Sequence, residues 1–337
     1  MSTRGKRLLG ISGALAILLV SAASLLATTF RQTITDYVSA AQYSPTDEML
    51  RVLSQVAPRD EAEIVFKATH PTLDAAESFN TSCSDVTHSE NSQVVGCYTG
   101  DRIHLFRITD PRLRGMVEVT AAHELLHAMY DRMSVREKRS LRTQLMAEYK
   151  RLSAADPGLT ERMSVYEDLN EDAFANELHS VLGTEIEHLS QPLEQHYAKI
   201  FSNRASITAL FAGYNARFEE LDAEREDLSA ALELLRPEIE ARSAVYQDAV
   251  SQFNTEAQAL TNRNNSLAFS SDPAEFYRLR NMLTAEQQRL EAERISLNEL
   301  IESYNAKRSR LIELNAITAE LYQSFDSTPA VAVPAEN

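Results

Sequence analysis

Residues 203–325 constrain the fold of this chain more than any other part of the sequence. Glycine and proline almost vanish there, and apolar residues recur in alternating steps of three and four, which is the pattern of long packed helices. The turn-rich residues 264–273 interrupt the pattern once, and Asp272 and Pro273 are a suitable cap and first turn for a second helix. The sequence therefore predicts an antiparallel helical hairpin.

Composition limits what precedes the hairpin. Lysine and arginine number 33 against 49 aspartates and glutamates, and the resulting net charge of −16 argues against a nucleic-acid-binding protein. The chain has 9 glycines and 10 prolines, too few for a barrel or sandwich of many strands. We predict an α+β, mainly helical fold, with a small antiparallel sheet and active-site helices followed by the hairpin.

The N-terminal sequence predicts a membrane anchor. Residues 8–30 carry no charge, and a helix of this length reaches about 35 Å, enough to cross a hydrocarbon layer of about 30 Å. Arg4, Lys6 and Arg7 precede it, so residues 1–7 should be cytoplasmic and the bulk of the chain extracytoplasmic in a single-pass cell-membrane protein. A cleaved signal peptide with small residues at 21–23, or a buried core helix, are the alternatives.

Two cysteines, Cys83 and Cys97, enclose thirteen residues. Outside the cytoplasm such a pair most simply forms a disulfide, which would stabilise the fold by about 3 kcal/mol. Two free thiols are the alternative, and the spacing does not suit a CxxC metal knuckle.

The central part of the chain predicts a few short elements before one long helix. We predict a strand at residues 63–69, a helix at 71–79 and a β-hairpin formed by residues 93–98 and 102–108. Residues 115–133 have apolar residues at helical intervals and no helix breaker after Gly115.

That helix contains the sequence His-Glu-Leu-Leu-His at residues 123–127. His123 and His127, four residues apart, project from one face of a helix, so both imidazoles can bind one zinc ion, Zn²⁺. Glu124 would then orient and deprotonate the water bound to the metal. Uncharged neighbours on both sides favour a buried metal-binding helix over two unpaired core histidines, because unsatisfied buried polar groups are costly.

This motif resembles that of the zincin metallopeptidases, over roughly residues 60–190. The preceding hairpin resembles the strand pair that lies against the substrate in that fold. Metzincins would have Gly at position 130 and His at 133, where this chain has Tyr130 and Met133, so that subgroup is excluded. Gluzincins instead take a glutamate ligand from a second helix downstream.

The predicted helix around residues 166–185 offers that third ligand. Residues 176–180, Asn-Glu-Leu-His-Ser, are similar to the Asn-Glu-x-x-Ser string of thermolysin-like enzymes, so the resemblance implies Glu177 as the ligand. Glu171 is the first alternative, followed by Glu167 and Glu185. Val181 stands where the thermolysin-like pattern has an aspartate, which leaves the group that supports the ligands open.

Three further side chains could stabilise an oxyanion in such a site. Tyr130 and Tyr166 are the possible hydroxyl donors, and His179 is a third candidate, although it points away from Glu177 on a regular helix.

These observations predict a domain order and a function. The predicted order is a cytoplasmic N-terminus (1–7), a transmembrane anchor (8–30), a zincin-like domain (31–202), a coiled-coil hairpin (203–325) and a disordered tail (326–337). The leading hypothesis is a membrane-anchored zinc metallopeptidase whose strand at 102–108 pairs with a peptide or protein substrate. The alternatives are a zinc hydrolase acting on cell-wall material and a non-enzymatic scaffold whose hairpin binds a protein partner or self-associates.

Overall fold

The structure is a computed structural model that describes residues 31–84 and 95–327. The helices of these residues are α1 (Arg31–Gln42), α2 (Asp47–Val56), α3 (Asp60–Ala68), α4 (Ala76–Cys83), α5 (Met116–Asp131), α6 (Val135–Ser153), α7 (Pro157–Ser164), α8 (Glu171–Glu185), α9 (Gln191–Tyr197), α10 (Arg204–Asn265) and α11 (Pro273–Phe325). The strands are β1 (Thr72–Asp74), β2 (Gly96–Tyr98) and β3 (Ile103–Phe106). The described residues divide into two compact units. The first comprises residues 31–84, 95–217 and 321–327, and the second comprises Phe218–Glu320.

The predicted fold class, α+β and mainly helical, is confirmed. The predicted β-hairpin is also present, since β2 pairs antiparallel with β3. However, the sheet is mixed and not purely antiparallel, because β1 joins β3 in parallel with Thr72 opposite His104. The strand order is β1-β3-β2, so β3 is the central strand and β2 lies at an edge.

The strand predicted at residues 63–69 is wrong, because this segment belongs to helix α3. The helix begins three residues earlier than the predicted strand, and its first turn carries three acidic side chains that favour the positive end of the helix dipole. Ala62, Val65 and Phe66 are buried at helical spacing. The predicted strand begins at Glu63 and therefore leaves out Ala62 and the acidic residues Asp60 and Glu61 of the first helical turn.

The helix predicted at residues 71–79 is partly wrong. Residues 72–74 form β1, whose backbone bonds with β3 override the local helical preference that follows Pro71. The helix starts only at Ala76 and continues to Cys83.

The predicted disulfide is confirmed, with Cys83 at the end of α4 bonded to Cys97 in β2. Both cysteines pack in a small cluster with Phe79 and Phe106. The bond therefore fastens α4 to the edge strand of the sheet.

The core of the first unit holds α5 against α8. Leu125 and Leu126 of α5 and Leu178 and Leu182 of α8 are fully buried in one apolar cluster. Gly183 permits this close approach, because a Cβ there would lie 2.4 Å from Leu126 Cδ1 and 2.7 Å from Tyr197 Cε1. The two helices that carry the predicted metal ligands are thus packed directly together.

The second unit confirms the predicted antiparallel hairpin. Arg310 binds both carboxylate oxygens of Glu224, and Arg242 donates to Glu293 at 3.0 Å. A residue later in α10 therefore pairs with a residue earlier in α11, so the two helices run antiparallel.

The predicted membrane anchor and single-pass localisation need correction. Among residues 31–84 and 95–327, no helix combines the length and the apolar character needed to cross a bilayer. The predicted anchor at 8–30, the predicted cytoplasmic residues 1–7 and most of the predicted tail, 328–337, lie outside the described residues.

Candidate metal centre

Helix α5 places His123 and His127 on one face, as the four-residue spacing predicts. Their ring centroids are 4.7 Å apart, and their side chains are 16 % and 11 % exposed. Ala121, Ala122, Leu125 and Leu126 are fully buried on the other faces of the helix. The other faces of α5 are therefore packed in the core, while its two imidazoles line a cleft.

Helix α8 brings Glu177 to the same point. Its Oε2 lies 3.8 Å from His123 Nε2 and 3.5 Å from His127 Nε2, and the three ligand atoms all lie within 4.8 Å of one another. Ligands that bind zinc tetrahedrally at about 2.0–2.1 Å are about 3.3–3.4 Å apart from each other. The two distances to Glu177 are close to this value, so the three side chains could hold a metal ion.

The alternative glutamates do not join this cluster. The side chain of Glu171 is 86 % exposed, and its carboxylate pairs with Arg142 at 3.2 Å. Glu185 pairs with Arg162 at 3.1 Å, and Glu167 is exposed. Glu185 also lines the cleft of the two histidines, but of the four glutamates only Glu177 belongs to the group whose ligand atoms lie within 4.8 Å of one another.

The cluster lies in a cleft of about 450 Å³. Glu124, only 6 % exposed, lines this cleft beside the two histidines. Apolar and aromatic side chains complete the walls, among them Met116, Val119, Tyr166, Leu169, Tyr214 and Phe325. A carboxylate in such a sheltered position is suited to accept and return a proton.

Ser180 supports one of the histidines. Its hydroxyl, fully buried on the turn of α8 after Glu177, lies 3.4 Å from His127 Nδ1. A partner on one ring nitrogen fixes the orientation of the imidazole and leaves the other nitrogen for a metal. Ser180 belongs to the Asn-Glu-x-x-Ser string, but the sequence alone gave it no role.

The structure separates the three possible oxyanion donors. Tyr166 lines the cleft and is 5 % exposed. The buried Tyr130 hydroxyl has no hydrogen-bond partner among residues 31–84 and 95–327, and Tyr130 does not line the cleft. His179 is fully buried, with its Nε2 2.9 Å from His196 Nε2, and also does not line the cleft. Of the three candidates, only Tyr166 lines the cleft.

Sequence reasoning missed Gly96, which brings β2 against the metal-binding helix. A Cβ at this position would lie 2.4 Å from Thr120 Cγ2 and 3.1 Å from both Cγ and Oε1 of Glu124. The strand edge thus approaches Glu124 as closely as the backbone allows. A glycine inside a predicted strand is a known mark of such an approach and could have identified the position.

We expect Gly96→Ala to destabilise the chain by about 1–3 kcal/mol, because Thr120 and Glu124 must both move to admit the methyl group. Thermal or urea unfolding measures this change. Gly213→Ala is the control, since a Cβ there has no described residue within 4 Å and alanine is the better helix former. Equal stability of the two variants would contradict this packing.

The pair formed by His179 and His196 makes stability depend on pH. Burial and, to a smaller extent, the positive charge of nearby Lys199 together lower the pKa of His196 to about 4. An unfolded chain has the ordinary value of about 6.5 and so binds more protons between these two pH values, which means that stability falls as the pH falls from 6.5 to 4.

We expect His196→Gln to reduce this acid-induced loss by up to about 3 kcal/mol, because glutamine can keep a hydrogen bond to His179 but does not titrate. The difference between the free energies of unfolding in urea at pH 7 and at pH 4.5 measures this acid-induced loss. His188→Gln, at a side chain that is 89 % exposed, should leave the pH dependence unchanged. If both variants lose as much stability in acid as the parent chain does, His196 is not the source of the pH dependence.

The resemblance to gluzincins therefore depends on the motif and on the geometry of three side chains. The two histidines share one helix, and the glutamate comes from a second helix packed against it. No family model, no curated protein and no solved structure matches this chain significantly.

Proposed function

We propose that this chain is a zinc-dependent metallopeptidase of the gluzincin type. The observation that carries the proposal is the convergence of His123, His127 and Glu177 within 4.8 Å, next to Glu124 in a cleft. Three protein ligands leave one position of a tetrahedral ion for water or substrate, which is the arrangement of catalytic and not of structural zinc sites.

The residues of the cleft suggest how a peptide bond would be cleaved. Bound zinc would supply Lewis acidity, which makes water nucleophilic near neutral pH and polarises a carbonyl. Glu124 would accept the proton of the attacking water and return it to the leaving amine. The hydroxyl of Tyr166 would donate a hydrogen bond to the oxygen that gains charge during attack.

The strand that would bind the substrate differs from the one that the sequence predicts. The predicted strand at 102–108 contains β3, which is paired on both sides and has no edge to offer. Among the described residues no strand pairs with the second edge of β2, and Val95, Gly96 and Tyr98 line the cleft. We therefore propose that an extended peptide binds by pairing with the second edge of β2, which is β-augmentation.

A direct test incubates the purified chain, with and without added zinc, with a mixture of unstructured peptides and with soluble cell-wall fragments. Mass spectrometry should show new peptide termini only when zinc is present and no change in the wall fragments. Zinc-dependent cleavage of wall fragments alone would favour the cell-wall hydrolase, and the lack of any cleavage by a zinc-loaded chain would contradict the proposal. Partner binding or self-association through the hairpin stays a separate prediction.

A further inference from the structure

The C-terminal residues 321–327 belong to the same compact unit as the metal centre. They follow the whole hairpin in sequence, and more than a hundred residues separate them from Tyr214, the preceding residue that lines the cleft. They consist of the last turn of α11 and two residues beyond it. The cleft wall is thus completed by a segment from the end of the described chain.

Buried residues and a hydrogen bond to α4 hold this segment in the unit. Leu321 and Phe325, one helical turn apart, are 0 % and 7 % exposed, so both face protein. Ser327 is 6 % exposed, and its carbonyl accepts a hydrogen bond from the Asn80 side chain of α4. Because the disulfide fastens α4 to β2, the segment is anchored beside the strand that lines the cleft.

Phe325 borders the cleft that a substrate would have to enter. Its ring lines the same cleft as His123, Glu124, His127 and Glu177. The main apolar cluster around α5 and α8 is assembled from residues 43–214, so the metal-binding helices are packed together by earlier parts of the chain. Residues 321–325 are the last turn of α11, and a helix end is the kind of element that opens locally at low free energy.

Resting on the function proposed above, we propose that residues 321–327 are an autoinhibitory gate of the cleft. Phe325 fills a place that an apolar side chain of an extended peptide would take, and a substrate must displace it to reach the metal centre. The chain therefore exists mainly in a closed form, and its apparent affinity for peptides is reduced by the fraction that is open.

The test measures access to the cleft without any metal. The metal-free full chain is treated with diethylpyrocarbonate, which modifies neutral imidazoles, and mass spectrometry follows the modification of His123 and His127 over time. His188, which is 89 % exposed, serves as the internal reference in every sample. The readout reports the gate itself and does not require peptide cleavage.

We expect Phe325→Ala to increase the modification rate of His123 and His127 about tenfold relative to His188. Asn80→Ala should act in the same direction, because it keeps the phenyl ring and removes only the anchor on Ser327. Gln323→Ala, at an exposed position of the same helical turn, is the matched control and should match the parent chain. Circular dichroism verifies that each variant is folded.

The outcomes separate the gate from the proposed function. If Phe325→Ala and Asn80→Ala are both modified at the parent rate, the gate is overturned, whatever the enzyme does. If both are modified faster but no zinc-loaded variant cleaves peptides, the gate stands and the peptidase proposal fails. If both proposals hold, zinc-loaded Phe325→Ala cleaves peptides about tenfold faster than Gln323→Ala at low substrate concentration.

Discussion

Glu124→Gln should abolish peptide cleavage while leaving zinc bound. The carboxylate lines the cleft but does not belong to the three-residue ligand cluster, so its loss removes a proton acceptor and not a ligand. Removal of a general base typically lowers kcat by a factor of about 10²–10⁴. The measurement is kcat on a cleaved peptide, together with the zinc content of the same sample by mass spectrometry.

Glu118→Gln is the matched control, since this glutamate lies on the same helix and does not line the cleft. It should leave both kcat and zinc content unchanged. A Glu124→Gln variant that retains full activity would show that another group moves the proton, and one that loses its zinc would show that Glu124 acts as a ligand.

Glu177→Ala should weaken zinc binding by at least about a hundredfold, because it removes one of three protein ligands, and changes to groups that only support ligands already cost tenfold to a hundredfold. Competition with a chromophoric chelator measures the dissociation constant. Glu171→Ala, six residues earlier on the same helix, removes an exposed carboxylate that pairs with Arg142, and we expect unchanged zinc affinity.

Equal zinc affinities of the two variants would show that Glu177 is not a zinc ligand. Loss of zinc in Glu171→Ala alone would restore the alternative that the sequence left open. Both variants keep α8 intact, because alanine is a good helix former at each position. Circular dichroism should therefore show the same helical content in both.

Local patterns predicted the part of the site that depends on a single helix. His123 and His127 are four residues apart, and helical periodicity alone places them on one face. The position of Glu177 depends on how α8 packs on α5, and this packing depends on Gly183, which lies close to Leu126 and Tyr197. Sequence similarity to a known motif suggested Glu177, but only tertiary structure separates it from Glu171.

Tertiary contacts also explain the errors. The segment at 63–69 has strand-like composition, but its burial follows a helical period once Ala62 is included. Residues 72–74 become a strand because β3 is available to pair with them. The gate could not be found from sequence, since no local pattern shows that Phe325 lies in the same unit as residues more than a hundred positions earlier.

X-ray absorption at the zinc edge of the zinc-loaded full chain tests the central claim most directly, because it reports which atoms surround the ion. We predict one zinc per chain with nitrogen and oxygen neighbours only, at about 2.0–2.1 Å, including the outer-shell scattering of two imidazole rings. One imidazole or none, or a chain that takes up no zinc, would contradict the convergence of His123, His127 and Glu177 on one ion.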